Sequence, residues 1–212
     1  RNSYTVTYKY TGTVPAGVTA LPAVANYKYG ADVTVADEAF ADGYVFHGWN
    51  KDGEEITGTF QMPAGDVTLT GFFTARTDLS YRVNYLEKGT NKVLHDQKVQ
   101  NGMTFGTTVA ASDEAIEIDG YTYDSADKDT LPITTGENVI NLYYTKRTDL
   151  TATVNYYWHG TEEKVSDSKK LTGLTFGAEL SERPAEAANC TPVSDASQTI
   201  IIGTGANVID FY

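Results

Sequence analysis

The sequence predicts a β-rich α+β fold repeated along the chain, and three observations predict it. The chain repeats itself at a fixed offset. Each repeat opens with apolar residues alternating at period two. Tyr, Val and Thr are abundant, with 15 Tyr against 8 Phe and 2 Trp in 212 residues. Such residues favour strands, and Tyr suits thin modules because its ring can be buried while its hydroxyl stays wet.

The repeat governs everything else. Arg76-Thr77-Asp78-Leu79 recurs as Arg147-Thr148-Asp149-Leu150, and Val83-Asn84-Tyr85 as Val154-Asn155-Tyr156. Gly89-Thr90 recurs as Gly160-Thr161 and Thr104-Phe105-Gly106 as Thr175-Phe176-Gly177, all displaced by 71 residues. Asn138-Val139-Ile140 recurs as Asn207-Val208-Ile209 at a displacement of 69, so two residues are lost from the loop after position 177. Drift confined to a loop is how repeated modules diverge. The first third follows the plan more loosely. Tyr4, Val6 and Tyr8 parallel Tyr81, Val83 and Tyr85; Tyr29-Gly30 parallels Phe105-Gly106; Gly43-Tyr44 parallels Gly120-Tyr121. The Arg-Thr-Asp-Leu joints divide the chain into modules 1–76, 77–147 and 148–212.

Within a module, Tyr81, Val83 and Tyr85, or Ala152, Val154, Tyr156 and Trp158, form an opening strand with one buried face. Turns follow at 88–91 and 159–161, then a second strand around 93–99 or 164–171, making a hairpin. Residues 107–115 and 178–188 read as one or two helical turns, the latter with Ser181 as N-cap and Pro184 in the first turn. A second hairpin-like pair closes each module, ending in 139–144 or 208–212. Strand, strand, short helix, strand, strand in about 70 residues allows only a small core and predicts a β-grasp (ubiquitin-like) module. An immunoglobulin-like sandwich fits less well, since it uses about 100 residues and seven strands. The short joints leave little slack, so three tandem β-grasp modules in an elongated array are expected.

Composition excludes several functions. A formal net charge of −12 opposes nucleic acid, whose phosphates need clustered Lys and Arg, and opposes adhesion to anionic lipid. No apolar run reaches the ~20 residues of a membrane span, so no membrane insertion is expected, and the chain is expected to be a monomer. The single Cys190 cannot form an internal disulfide and reads as a small half-buried side chain. The chain starts at Arg1 and stops at Tyr212 inside an apparent strand, and so reads as part of a longer protein.

The last two modules resemble mucin-binding-protein-like (MucBP-type) repeats of Gram-positive surface proteins. The resemblance is carried by Val83-Asn84-Tyr85, Gly89, Phe105-Gly106, Gly120-Tyr121 and 138–144. The third module keeps its opening, Phe176-Gly177 and the 207–212 ending, but has Cys190-Thr191 near where the Gly-Tyr pair would stand. The first module is similar to the internalin B-repeat (Listeria–Bacteroides repeat) family, through Gly43-Tyr44-Val45-Phe46-His47-Gly48-Trp49 and the run 60–70. Both resemblances imply β-grasp folds in secreted, cell-wall-associated proteins. They imply a stalk or spacer of an adhesin, with two alternatives: direct binding of mucin glycans or a host surface protein, and an accessory region of a large secreted enzyme. The expected location is the extracellular cell surface.

No catalytic, cofactor or metal residues are expected. His47, His95 and His159 lack ligand spacing, and Asp124, Asp127 and Asp129 lack the pattern of a calcium loop. No phosphate loop or nucleophile elbow is present. Lys9 and Lys28 with Asn84, Asn141 and Asn155 raise an isopeptide crosslink, but no Lys–Asn–acid pattern recurs across modules. Trp49, Trp158 and Tyr157, with Tyr10, Tyr44 and Tyr121, are the candidate ligand-contact aromatics, because aromatic faces pack on apolar sugar faces; core packing is the competing reading. Trp158, at a hairpin tip, is the most exposed candidate.

Overall fold

The computed structural model describes residues 2–186 and 189–212. The first repeat holds β1 (Ser3–Tyr10), β2 (Ala25–Lys28), β3 (Asp32–Thr34), β4 (Tyr44–Phe46), β5 (Asn50–Lys51), β6 (Glu54–Glu55), β7 (Thr59–Gln61), β8 (Val67–Gly71) and β9 (Phe73–Ala75). The second holds β10 (Leu79–Glu87), β11 (Val93–Met103), β12 (Thr108–Ala110), β13 (Tyr121–Ala126), β14 (Thr130–Pro132) and β15 (Val139–Lys146). The third holds β16 (Leu150–Tyr157), β17 (Lys164–Leu174), β18 (Glu179–Glu182), β19 (Gln198–Ile201) and β20 (Val208–Phe211).

The chain forms two compact units. One comprises Arg1–Arg82, Val99–Val109 and Thr130–Val139, the other Val83–Lys98, Ala110–Asp129 and Ile140–Tyr212. In the first unit, β1 runs antiparallel to β2, with Tyr4 opposite Tyr27, and parallel to β8, with Val6 opposite Val67. Parallel neighbours need a long crossover, and here that crossover carries β2 to β7. Alternation puts Val6 and Tyr8 of β1 and Val67 and Leu69 of β8 into one core with Val33, Trp49, Met62 and Phe73. A Cβ at Gly71 would lie 2.5 Å from the Phe46 ring and 3.1 Å from Trp49, so only glycine lets these aromatics close on β8.

In the second unit, β16 is antiparallel to β17, with Val154 opposite Lys169, and parallel to β20, with Val154 opposite Ile209. Its core includes one cluster of Leu150, Ala152 and Ile202 and another of Val154, Ile209 and Phe211, with Tyr85, Leu142 and Tyr144 of the second repeat also buried. Leu180 of β18 faces Ile200 of β19, and both pack on these clusters. The sheets share one plan: the opening strand lies between its hairpin partner and the closing strand, as β2-β1-β8, β11-β10-β15 and β17-β16-β20. The third strand of each repeat pairs with the strand just before the closing one, as β3-β7, β12-β14 and β18-β19. The second repeat adds β13 beyond β15. The described residues between β18 and β19 form no strand.

The expected helices give way to strands. Within 107–115 stands β12, followed by a single 3-10 turn at Ala111–Glu114 with no side-chain cap. Within 178–188, residues Glu179–Glu182 form β18, and Ser181 is a strand residue rather than an N-cap; Ala187 and Ala188 lie outside the described residues. An isolated helix of two turns is marginal, and Pro184 disfavours the α-conformation at Arg183. The ladder with β19 instead satisfies the backbone and buries Leu180. The described residues are thus β-rich with almost no helix, which corrects the α+β component of the expected class.

Candidate functional site

The sequence-level candidates separate cleanly by burial. Trp49 is 3% exposed, and its indole donates to the Asp37 carbonyl at 3.0 Å. Tyr8, Tyr10 and Phe46 surround it at ring-centroid distances of 4.7, 5.6 and 5.1 Å. Trp49 is a core residue, and its reading as a ligand contact is corrected. Tyr10 belongs to the same core; its hydroxyl donates to the Thr19 carbonyl, and burial pushes its pKa up.

Trp158 and Tyr157 come together with other aromatics. Trp158 is 48% exposed. Its backbone N–H donates to the Glu163 carbonyl, and its own carbonyl accepts the Thr161 N–H and hydroxyl, which fixes the turn that presents the ring. Tyr212 lies 5.9 Å from Tyr157 and 6.5 Å from His159. These side chains, with Pro184, Cys190, Pro192, Val193 and Phe211, line a half-open pocket of about 250 Å³. The pocket has a simple origin. At the 71-residue offset, Tyr157, Trp158 and His159 stand where the second repeat has Leu86, Glu87 and Lys88. In the second repeat Lys88 pairs with Asp124 of β13 and Glu87 with Lys146. In the third repeat a loop lies where β13 would be, and aromatics replace the ion pairs. The loop is held at Tyr212, whose carbonyl accepts the Val193 N–H at 2.8 Å.

Tyr44 and Tyr121 serve a different site, one the sequence displays only as repeated landmarks. The Phe105 ring lies on Gly43, where a Cβ would come within 2.3 Å of it, and packs edge-to-face with Tyr44 at 5.4 Å. Phe176 lies on Gly120 in the same way, at 2.4 Å from a Cβ, and meets Tyr121 at 5.7 Å. Both glycines are left-handed, with φ of +77° and +76°. The backbone follows suit. The Arg76 N–H donates to the Gly43 carbonyl at 2.9 Å, and the Arg76 carbonyl accepts the Phe105 N–H at 2.8 Å. Arg147 repeats both bonds with Gly120 and Phe176, each at 2.9 Å. Each Arg then grips the Asp two residues on as a fork, Arg76 on Asp78 and Arg147 on Asp149, with both contacts at 2.9 Å. These guanidinium hydrogen bonds hold the Asp78 and Asp149 carboxyls below the usual carboxylate range. A Gly-Tyr pair from one repeat and a Phe-Gly pair from the next thus make one joint, built twice.

The remaining candidates fall to ordinary roles. The His47 ring stacks on Phe72 at 4.6 Å and bonds the Thr74 hydroxyl. Asp127 accepts the Asn141 backbone N–H at 2.9 Å, and the Asp129 carbonyl accepts the Ala111 N–H. Among the described residues no His, Cys, Asp and Glu group is arranged to hold a metal ion. Lys9 and Lys28 are exposed, whereas an isopeptide requires a buried Lys, and the Asn84 and Asn155 amides are hydrogen-bonded to Asn141 and Asp210. No helix of the described residues is long and apolar enough to cross a membrane.

Residues 4–70 match the family model of the Listeria–Bacteroides repeat domain. No curated protein matches the chain. Among solved structures, domains 3–4 of the Streptococcal High Identity Repeats in Tandem (SHIRT) from a cell surface protein are similar at 15% identity, with a TM-score of 0.30. That likeness covers 68% of this chain and 98% of the other. The family match falls on the first repeat, over the Gly43–Trp49 motif that carries the resemblance there, and the mucin-binding-protein-like resemblance of residues 77–212 rests on its residues alone.

Proposed function

We propose that the chain is a repeat region of a secreted, cell-wall-associated Gram-positive surface protein, acting as a stalk or spacer for an adhesin. It works by position and not by catalysis, in three modules, 1–76, 77–147 and 148–212. The observation that carries this reading is the duplicated joint, in which the same two backbone hydrogen bonds and the same ring-on-glycine contact recur at Gly43–Phe105 and Gly120–Phe176. A spacer needs joints of fixed geometry, and a binding module does not need them repeated. The surface location is supported by the Listeria–Bacteroides repeat match. The parallel pairing of opening and closing strands beside a hairpin favours a β-grasp-like layout in which short strands replace the helix. The test is display on a bacterial wall with an epitope tag distal to the chain. Inserting a second copy of residues 77–147 should raise antibody access to the tag; unchanged access would sink the spacer reading.

The second reading is binding of mucin glycans or a host surface protein by the third repeat. The exposed Trp158 beside the aromatic pocket favours it, because such rings stack on sugar faces. Saturable binding to immobilised mucin or a glycan array, lost in Trp158→Ala and kept in Tyr29→Ala, would establish it. A folded chain that binds nothing on the panel would end it.

A further inference from the structure

The first repeat carries half of a joint. Tyr29-Gly30 stands where the later repeats have Phe105-Gly106 and Phe176-Gly177, and the three segments share their backbone bonds. Gly30, Gly106 and Gly177 are all left-handed, with φ of +76°, +77° and +75°. Their N–H groups donate to the carbonyls of Met62, Ile133 and Ile202 at 2.9, 2.9 and 2.8 Å. The aromatic N–H of each segment donates to a carbonyl just ahead of its repeat's opening strand: Tyr29 to Asn2 at 3.0 Å, Phe105 to Arg76 and Phe176 to Arg147. What differs is the ring. Phe105 and Phe176 are half-buried on Gly43 and Gly120, whereas Tyr29 is 52% exposed.

We infer that Tyr29 is the receiving half of a third joint. Its occupant is a Gly-Tyr turn with a left-handed glycine, carried by a further repeat of this kind joined ahead of residue 1. The glycine requirement is steric, since any Cβ would enter the ring, as it would at Gly43 and Gly120. The covalent order is set by the occupied joints, in which the residue that closes the ladder, Arg76 or Arg147, directly follows the last strand of the repeat supplying the glycine. A second copy of this chain is a poor occupant: its Gly43 and Gly120 turns are already covered, and its third repeat has Cys190-Thr191 instead of the pair. The inference deepens the spacer reading and rests on it for biological meaning. Its test reads joint geometry rather than tag access, so the two can fail separately.

The test extends the full chain with an added copy of residues 77–145, so that Arg1 takes the place of Lys146 and Asn2, which accepts the Tyr29 N–H, that of Arg147. Spin labels go on Glu54→Cys and on the added copy's Lys92→Cys in a Cys190→Ser background, and the distance distribution is measured by double electron–electron resonance. The expected result is a narrow distribution that Tyr29→Ala broadens at least twofold and Tyr29→Phe preserves. Hydroxyl-radical footprinting of the same protein should show Tyr29 oxidised at least threefold more slowly than in the unextended chain. A distribution indifferent to Tyr29→Ala, or Tyr29 oxidised at the same rate in both proteins, overturns the proposal. Sedimentation supplies a further arm: a dimer of the unextended chain abolished by Tyr29→Ala would replace the occupant with a second copy and likewise overturn it.

Discussion

Asn138 and Asn207 explain why the Asn-Val-Ile run recurs. The Asn138 amide oxygen accepts the Thr134 N–H at 2.9 Å, and its nitrogen donates to the Ser80 and Thr134 carbonyls at 3.1 and 2.9 Å. Asn207 makes the matching set, with the Gly203 N–H and the Thr151 and Gly203 carbonyls. One side chain therefore satisfies the turn before the closing strand and ties it to the opening strand. Asp66 does part of this in the first repeat, accepting the Thr5 N–H at 2.7 Å. Losing buried partners leaves backbone groups unsatisfied, so Asn138→Ala should cost about 2–3 kcal/mol. Urea unfolding checks this, and a loss under about 0.5 kcal/mol would remove the argument. The sequence shows these asparagines only as repeated letters; their role needs the turn and the opening strand brought together in space.

At the scale of elements, the joint is a strand end, a fork and a ring on a glycine. The Arg–Asp forks are exposed, so each adds little stability, but they order the turn between closing and opening strands. Because the folded pKa of Asp78 and Asp149 lies below the ordinary value of about 3.9, their contribution is complete above about pH 4 and is lost as pH falls through the folded value. The thermal midpoint of the unaltered protein should therefore fall more steeply between pH 4 and pH 2 than that of Asp149→Asn. Parallel curves would show that the fork contributes nothing. Two further ion pairs lie deeper. Lys98 meets the buried Glu114 at 2.6 Å, and Lys169 meets Glu182 at 2.9 Å. Breaking such a pair takes a charge-assisted hydrogen bond away from a buried carboxylate. Lys98→Ala should destabilise by about 1–2 kcal/mol after discounting for the exposed lysine, which chemical denaturation would register.

At the scale of the molecule, each compact unit contains one joint, Gly43–Phe105 in the first and Gly120–Phe176 in the second. A Gly120→Val change forces a β-branched side chain into a left-handed backbone position and into the Phe176 ring. Hydrogen exchange should then show protection lost in Val83–Lys98, Ala110–Asp129 and Ile140–Tyr212 and kept in residues 2–82. Loss spread evenly over the chain would contradict that partition.

The sequence by itself determined the repeat, the opening strands and their hairpin partners, because a displacement of 71 residues and a period of two are patterns in one dimension. It also marked Trp158 as the exposed tryptophan, through its place beside a turn. Tertiary structure decided the rest. Residues 179–182 became a strand because Gln198–Ile201, far along the chain, offered a ladder. Trp49 became core because Gly71 left room for it. Gly43-Tyr44 and Phe105-Gly106 became two faces of one joint because residues 62 positions apart meet only when the chain folds. Local pattern reports which face of a strand is apolar, and only packing reports what covers it.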